Sequence, residues 1–183
     1  MKNIIFTLIT ILTLNTAIGQ AKYLTKTGTL TFEASVPAFE DVAAKNKAVT
    51  AILNIKNGEF AALALVKAFR FKNALMEEHF NENYAESDHY PKATVRGKIE
   101  NLNFNELSKT DTVKQFNGTL TFHGVTKEIK NSPISIKVEA NKLILNGNFT
   151  VLVSDFNIDI PKIVKNKLSD KVTITFNFEL TKK

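Results

Sequence analysis

The strongest constraint in this sequence is an alternation of apolar and polar residues with a period of two. From Val172 to Leu180, every second residue is apolar and each residue between is polar. Because successive side chains of a strand point to opposite faces, this pattern predicts an amphipathic β-strand rather than a helix. The alternation recurs, tightly or loosely, in 30–34, 93–99, 116–122, 134–138 and 143–153. Together with the more uniformly apolar stretches 49–55 and 60–71, it predicts about eight antiparallel strands.

Pairs that contain Asn or Gly separate these strands and predict tight turns. Asn57-Gly58 suits a two-residue hairpin turn, in which both central residues have positive φ. His123-Gly124 and Asn141-Lys142 are similar pairs between apolar runs. Asn146-Gly147 lies inside a strong strand pattern, so we interpret it as a bulge or bend rather than a reversal of the chain.

One segment, 73–84, has a helical period instead. Asn73 can cap this helix, and the acidic residues of its first turn suit the positive end of the helix dipole. The residues that the period places on one face are Leu75, Met76, His79 and Phe80. The sequence therefore predicts one short amphipathic helix in an otherwise all-β chain.

Eight amphipathic strands with polar outer faces can form a closed antiparallel barrel or a packed sandwich. A closed eight-stranded barrel leaves no exposed edge, and its interior is just wide enough for side chains or one slim ligand. The alternation is the same in both architectures, so the pattern alone leaves them open.

Charge and cysteine content exclude several classes of protein. The net charge is +6, but Arg70 and Arg96 are the only arginines, which does not favour nucleic-acid binding. The lysine-rich stretch 162–171 reads as a solvated loop, and a transient contact with an anionic membrane surface stays open. The absence of cysteine excludes a disulfide framework and a thiolate metal site.

The histidines do not form a recognisable metal or catalytic motif. His79 and His89 lie near several acidic residues, but no metal-ligand spacing such as H-E-x-x-H is present. Ser87-Asp88-His89 lacks the G-x-S-x-G elbow of a hydrolase. We therefore expect no enzyme activity, no metal and no cofactor.

The first nineteen residues have the pattern of a signal peptide. Lys2 gives a positive start, an apolar run follows to Leu14, and Ala17-Ile18-Gly19 has the small residues of a cleavage site. We therefore expect a signal peptide at 1–19, a single mature domain at 20–183, and a periplasmic or secreted location.

Three motifs resemble the YceI-like family. The stretch 69–97, FRFKNALMEEHFNENYAESDHYPKATVRG, is similar to the family's strand, L-M-x-x-H-F helix and Y-P-x-A turn. The stretch 118–127, GTLTFHGVTK, is similar to its hairpin, and 154–158, SDFNI, to a third segment. The resemblance runs from about residue 28 to the carboxy terminus. It implies a lipocalin-like antiparallel eight-stranded barrel that holds a polyisoprenoid in an apolar lumen, without catalysis.

The resemblance and the alternation together give a set of expected lipid-binding residues. Inward-pointing phenylalanines would form the lumen wall, the helix would form a lid or mouth, and His79 would be structural or contact a lipid headgroup. The full set is Phe32, Phe71, Leu75, Met76, His79, Phe80, Leu120, Phe122, Phe149, Val151, Phe156, Ile174, Phe176 and Phe178. Family members often carry a His in the first long strand, but residues 28–36 contain none, so no headgroup contact is expected there.

Two alternatives to a lipid carrier follow from the same sequence. The first is a β-barrel with a filled core that binds partners through its outer surface. The second is an enzyme that uses the region of His79 and His89. The expected ligand is a long-chain isoprenoid lipid such as a quinone tail or a polyprenyl phosphate. Its chain length, its headgroup and the oligomeric state are not fixed by the sequence.

Overall fold

The computed structural model describes residues 22–36, 39 and 41–183, so the predicted signal peptide at 1–19 lies outside the described residues. Nine strands are present: β1 Lys22–Glu33, β2 Ala43–Asn54, β3 Glu59–Leu65, β4 Arg70–Phe71, β5 Lys92–Ile99, β6 Thr112–Phe122, β7 Val125–Glu139, β8 Lys142–Leu152 and β9 Lys171–Lys182.

Eight of these strands form a closed antiparallel barrel. The order around the wall is β1-β9-β8-β7-β6-β5-β3-β2, and β1 closes the ring by pairing with both β2 and β9. The two-residue strand β4 pairs with β2 outside this ring. The predicted eight-stranded antiparallel barrel is therefore confirmed, and the packed sandwich is excluded.

The predicted helix is also confirmed. Helix α1, Ala74–His79, continues into one turn of π-helix, Phe80–Tyr84. Asn73 caps it as expected, because its side chain accepts a hydrogen bond from the backbone N–H of Leu75 at 2.9 Å. Short 3-10 helices span Val66–Ala68, Phe104–Glu106 and Val153–Phe156.

The structure confirms one of the three predicted turns, corrects the other two, and shows no bulge at Asn146-Gly147. His123 and Gly124 both have positive φ and form a tight hairpin turn. At Asn57-Gly58 only Gly58 has positive φ, and the loop is longer than two residues because the Gly58 N–H donates to Asn54 O. The β7–β8 turn is at 140–141, one residue earlier than expected. Asn146-Gly147 pairs with β9 without a register shift, so no bulge forms there.

The barrel has two different ends, because consecutive antiparallel strands reverse direction. The connections 34–42, 66–91, 123–124 and 153–170 lie at one end, which we call the mouth end. The connections 55–58, 100–111 and 140–141 lie at the other, which we call the closed end. The helix and the lysine-rich loop are therefore both at the mouth end.

Side chains fill the closed end completely. Its fully buried residues include Leu53, Ile99, Ile136, Leu143, Leu145 and Leu180. Leu102, Phe104 and Leu107 of the β5–β6 connection pack against them from below. Burial of this many aliphatic side chains is the main source of stability in a domain that has no disulfide.

Two facing glycines let an aromatic ring cross the barrel just above this core. Gly97 of β5 pairs with Gly118 of β6, and the ring of Phe116 lies over both. A Cβ at either position would lie within 2.7 Å of the Phe116 Cζ atom. The same Cβ would lie 2.2 Å from Asn117 O or 2.3 Å from Arg96 O, so a larger residue would displace the backbone of the facing strand as well as the ring.

Candidate functional site: an apolar lumen

An apolar cavity occupies the barrel between the closed end and the mouth. Its volume is about 580 Å³, within the range of ligand-binding cavities in proteins. Twelve of the fourteen phenylalanines line it; Phe104 lies at the closed end and Phe6 lies outside the described residues. The lumen is therefore hollow, and its wall is mostly aromatic and aliphatic.

Thirteen of the fourteen residues expected from the sequence lie in the wall of this cavity. They are Phe32, Phe71, Met76, His79, Phe80, Leu120, Phe122, Phe149, Val151, Phe156, Ile174, Phe176 and Phe178. The rings of Phe176 and Phe178 stack with their centroids 5.2 Å apart. Whether these residues contact a lipid remains a prediction that binding experiments must test.

Leu75 is the one residue of the predicted set that does not line the cavity, and its contact with a lipid stays a prediction. Its side chain is 56% exposed, whereas Met76, His79 and Phe80 face the lumen. Adjacent residues of an α-helix are about 100° apart around its axis, so Leu75 lies at the edge of the inward face. The helical period identified the amphipathic segment but assigned that face too broadly.

Phenylalanine packing holds the helix on the mouth of the barrel. The ring of Phe80 lies 5.1 Å from that of Phe32 and 5.2 Å from that of Phe71, measured between centroids. Phe69 lies 5.2 Å from Phe32 and 6.0 Å from Phe80. Aromatic pairs at these separations stabilise each other beyond the area they bury. This four-ring cluster therefore closes one side of the mouth.

An ion pair fixes the start of the same helix. The Arg70 guanidinium donates to Glu77 Oε1 at 2.8 Å, and the Phe71 N–H donates to Glu77 Oε2 at 3.2 Å. Arg70 also donates to the backbone oxygen of Phe69 at 3.0 Å. Arg70 thus acts in positioning the helix rather than in the lumen.

The opposite side of the mouth comes from the irregular segment 153–170, of which the predicted set contained only Phe156. Ile158, Ile160, Val164 and Leu168 from this segment line the cavity. His123 Nδ1 lies 2.9 Å from the backbone oxygen of Phe156 and ties the segment to the β6–β7 turn. Irregular segments have no fixed period, so only three-dimensional packing reveals which of their side chains point inward.

Four phenylalanines of the wall were also missed by the sequence analysis. Phe39, Phe60, Phe69 and Phe116 line the cavity, and Phe39 belongs to the loop 34–42, in which no alternation was identified. Phe60 and Phe69 lie in or next to uniformly apolar stretches, in which the alternation cannot show which residues point inward. Phe116 belongs to a clear alternation with Leu120 and Phe122, so that pattern contained the signal for it.

Few polar side chains reach the lumen. His79 and Lys167 are exposed at the mouth, Tyr84 and Ser169 are half-buried, and Ser132 is buried in the wall. His89 does not line the cavity. Within the described residues, no group of three or more His, Asp or Glu side chains could hold a metal ion. None of the helices described is long and apolar enough to cross a membrane.

The fold defines a class of protein: closed antiparallel barrels that have an apolar lumen and a helical cover at the mouth. Comparison with protein families gives the specific assignment: residues 17–180 match the YceI-like domain. The chain belongs to this family, which confirms the resemblance found in its motifs. No curated protein sequence matches the chain closely enough to count as a relative.

Solved structures share the fold at low sequence identity. A polyisoprenoid binding domain from Saccharophagus degradans, implicated in plant cell wall breakdown, has a TM-score of 0.77 and 16% identity, over 90% of this chain and 99% of that one. BcnA from Burkholderia cenocepacia has a TM-score of 0.68 and 16% identity, over 84% and 96%. A YCEI protein from Campylobacter jejuni has a TM-score of 0.60 and 18% identity, over 81% and 88%.

Proposed function

We propose that this protein is an exported, non-catalytic carrier that holds one long apolar lipid of the polyisoprenoid class in its lumen. The observation that carries this proposal is the cavity of about 580 Å³, whose wall is formed mainly by phenylalanine and aliphatic side chains. The hollow interior argues against the alternative of a filled-core interaction module. The polyisoprenoid binding domain among the structural neighbours supports the ligand class.

The chemistry of a polyisoprenoid suits such a wall. The chain is made of branched five-carbon units with almost no hydrogen-bonding groups, so its recognition needs only shape and apolar area. Burial of one methylene group contributes about 0.8 kcal/mol, and twenty carbons give on the order of 16 kcal/mol. Association and ordering cost about 4–15 kcal/mol, which leaves room for a stable complex without catalytic or metal chemistry.

Lipid extraction tests this proposal. The full chain would be produced with its leader in a bacterium that makes prenols and prenylquinones, and the purified protein would be extracted with organic solvent. We expect mass spectrometry to find an isoprenoid lipid at about one molecule per protein, and Gln20 as the first residue of the exported protein. Recovery of detergent alone, together with no binding of added geranylgeraniol, would contradict the proposal.

We further propose that the mouth approaches an anionic membrane surface when the lipid enters or leaves. Ile163, beside the wall residue Val164, is 85% exposed. Lys162, Lys165 and Lys167 are exposed around it, and within the described residues they form no ion pair. A lysine near an anionic bilayer contributes about 1 kcal/mol, and the isoleucine adds apolar contact.

Vesicle binding checks this second part. Ile163→Asp should weaken binding to phosphatidylglycerol vesicles about tenfold, because it removes apolar contact and adds a charge that the surface repels. Val113→Asp is the matched control: Val113 is 63% exposed but lies at the start of β6, at the closed end. Equal binding by both variants, or no binding of the wild type, would contradict a membrane contact at the mouth.

A further inference from the structure

The barrel wall has an opening between β7 and β8. These strands pair only from Ile134↔Gly147 to Glu139↔Lys142. Beyond that point, β7 stays paired with β6 as far as Val125, and β8 stays paired with β9 as far as Leu152. About half of β7 and half of β8 therefore have one edge without a hydrogen-bonded neighbour, and these two edges lie on either side of a gap. We call the gap between 127–133 and 148–151 the side window.

The sequence explains why the strands part at this position. The register would next place Pro133 opposite Asn148, and proline has no N–H with which to continue the ladder. Two residues earlier, Asn131 has a φ of 50°, and its N–H donates to Asn117 Oδ1 at 2.8 Å, beside a register shift in β6–β7. This bulge turns β7 away from β8.

The side window is bounded on every side. The last β7–β8 pair lies below it. The 3-10 helix Val153–Phe156 lies above it, where Lys127 Nζ approaches Asp155 Oδ1 at 3.7 Å. The space in the window is about 320 Å³, and Leu120, Ser132, Phe149 and Val151 line both this space and the lumen. The window and the lumen are thus adjacent spaces that these four side chains separate.

Ser132 lies where the two spaces meet. It pairs with Phe116 of β6, which lines the lumen, so the two side chains share the inward face. Ser132 is 7% exposed as a residue, and none of the side-chain hydrogen bonds among the described residues involves its hydroxyl. Among the described residues, the side-chain atoms buried without a hydrogen-bond partner are Asn81 Oδ1 and His123 Nε2, so the Ser132 hydroxyl keeps access to the space beside it. A polar group of a ligand in that space can reach it and form a hydrogen bond.

The outer rim of the window is polar but balanced in charge. Lys127 faces Asp155, and Lys130 Nζ donates to Glu128 Oε2 at 2.7 Å, a hydrogen bond that raises the pKa of Lys130. Both lysines are therefore already neutralised by carboxylates. Such a rim suits an uncharged group that forms hydrogen bonds better than it suits a phosphate or diphosphate.

We propose that Ser132 hydrogen-bonds the polar end of the lumen lipid at the side window, and that this end is an uncharged hydroxyl or carbonyl. The proposal rests on the lipid-carrier function and deepens it. The chain of the lipid would lie in the lumen against the phenylalanines, while its head would reach the outside through the wall instead of through the mouth.

Two probes with the same chain test this assignment. The first is geranylgeraniol, and the second is the matching hydrocarbon in which hydrogen replaces the hydroxyl. Ser132→Ala should weaken binding of the alcohol about fivefold to tenfold and leave the hydrocarbon unchanged, because only the alcohol loses a hydrogen bond. Ser154→Ala is the matched control: Ser154 lies in the 3-10 helix Val153–Phe156, is exposed and lines neither the lumen nor the window, so the substitution should change neither affinity.

Fluorescence quenching locates the head directly. The chain has no cysteine, so Lys130→Cys and Lys165→Cys each offer one site for a fluorophore, at the window and at the mouth. A geranylgeranyl-substituted quinone should quench the fluorophore at the window more strongly. Stronger quenching at the mouth, or equal effects of Ser132→Ala on both probes, would overturn the window assignment. Failure of every probe to bind the wild type would instead overturn the carrier function itself.

Discussion

Ala62→Phe is expected to lower the affinity for geranylgeraniol by about 100-fold or more. Ala62 lies in the lumen wall on β3, between Ala51 of β2 and Val95 of β5. A benzyl group at this position would occupy the space of about one isoprene unit. Exclusion of five carbons at about 0.8 kcal/mol each removes about 4 kcal/mol of binding free energy, which is more than 100-fold in affinity.

The adjacent residue provides the control for this substitution. Ala61 lies on the same strand, but its side chain points to the other face and does not line the cavity. Ala61→Phe should therefore bind the lipid as the wild type does. The protein has no tryptophan, so a fluorescent prenol can be followed without intrinsic interference. Wild-type binding by Ala62→Phe would mean that the lipid does not enter the lumen.

Leu145→Ala is expected to destabilise the protein by about 3 kcal/mol, with a fall in melting temperature of roughly 6–12 °C. Leu145 is fully buried at the closed end, and it does not line the lumen. Removal of its branched side chain leaves a void that the surrounding aliphatic residues cannot fill. Calorimetry and urea denaturation would measure the change.

A second leucine on the same strand is the control that distinguishes the effect of burial on stability from the effect of strand propensity. Leu152 lies at the other end of β8 and is 43% exposed. Leu152→Ala should cost less than about 1 kcal/mol, because little apolar area is lost. Below its melting temperature, Leu145→Ala should still bind lipid with wild-type affinity. A similar loss of stability in both variants would contradict the description of the closed end as the main core.

The sequence pattern predicted the strands, the helix and most of the lumen wall for one physical reason. A period of two marks which side chains share the inner face of a sheet, as it does for Phe176 and Phe178. In a closed barrel that face points into the interior. The capping residue Asn73 and the turn His123-Gly124 were predictable because their conformations depend on local chemistry.

Other features depend on packing that no local pattern contains. The alternation is identical in a filled and in a hollow barrel, so the cavity could not be predicted from it. Leu75 was placed on the inward face because the period cannot give the exact orientation of a short helix. The inward side chains of 153–170 and the parting of β7 from β8 depend on contacts between segments distant in sequence.

The solid closed end and the hollow mouth end give one chain two regions with separate tasks. Leu145 and its neighbours maintain the fold, whereas residues such as Ala62 and Ser132 shape the space that receives a guest. Substitutions in the hollow half can therefore alter which molecule is accepted without a matching loss of folding free energy. Such a division would let descendants of one barrel diverge in cargo, and it makes the same positions the natural starting point for redesign.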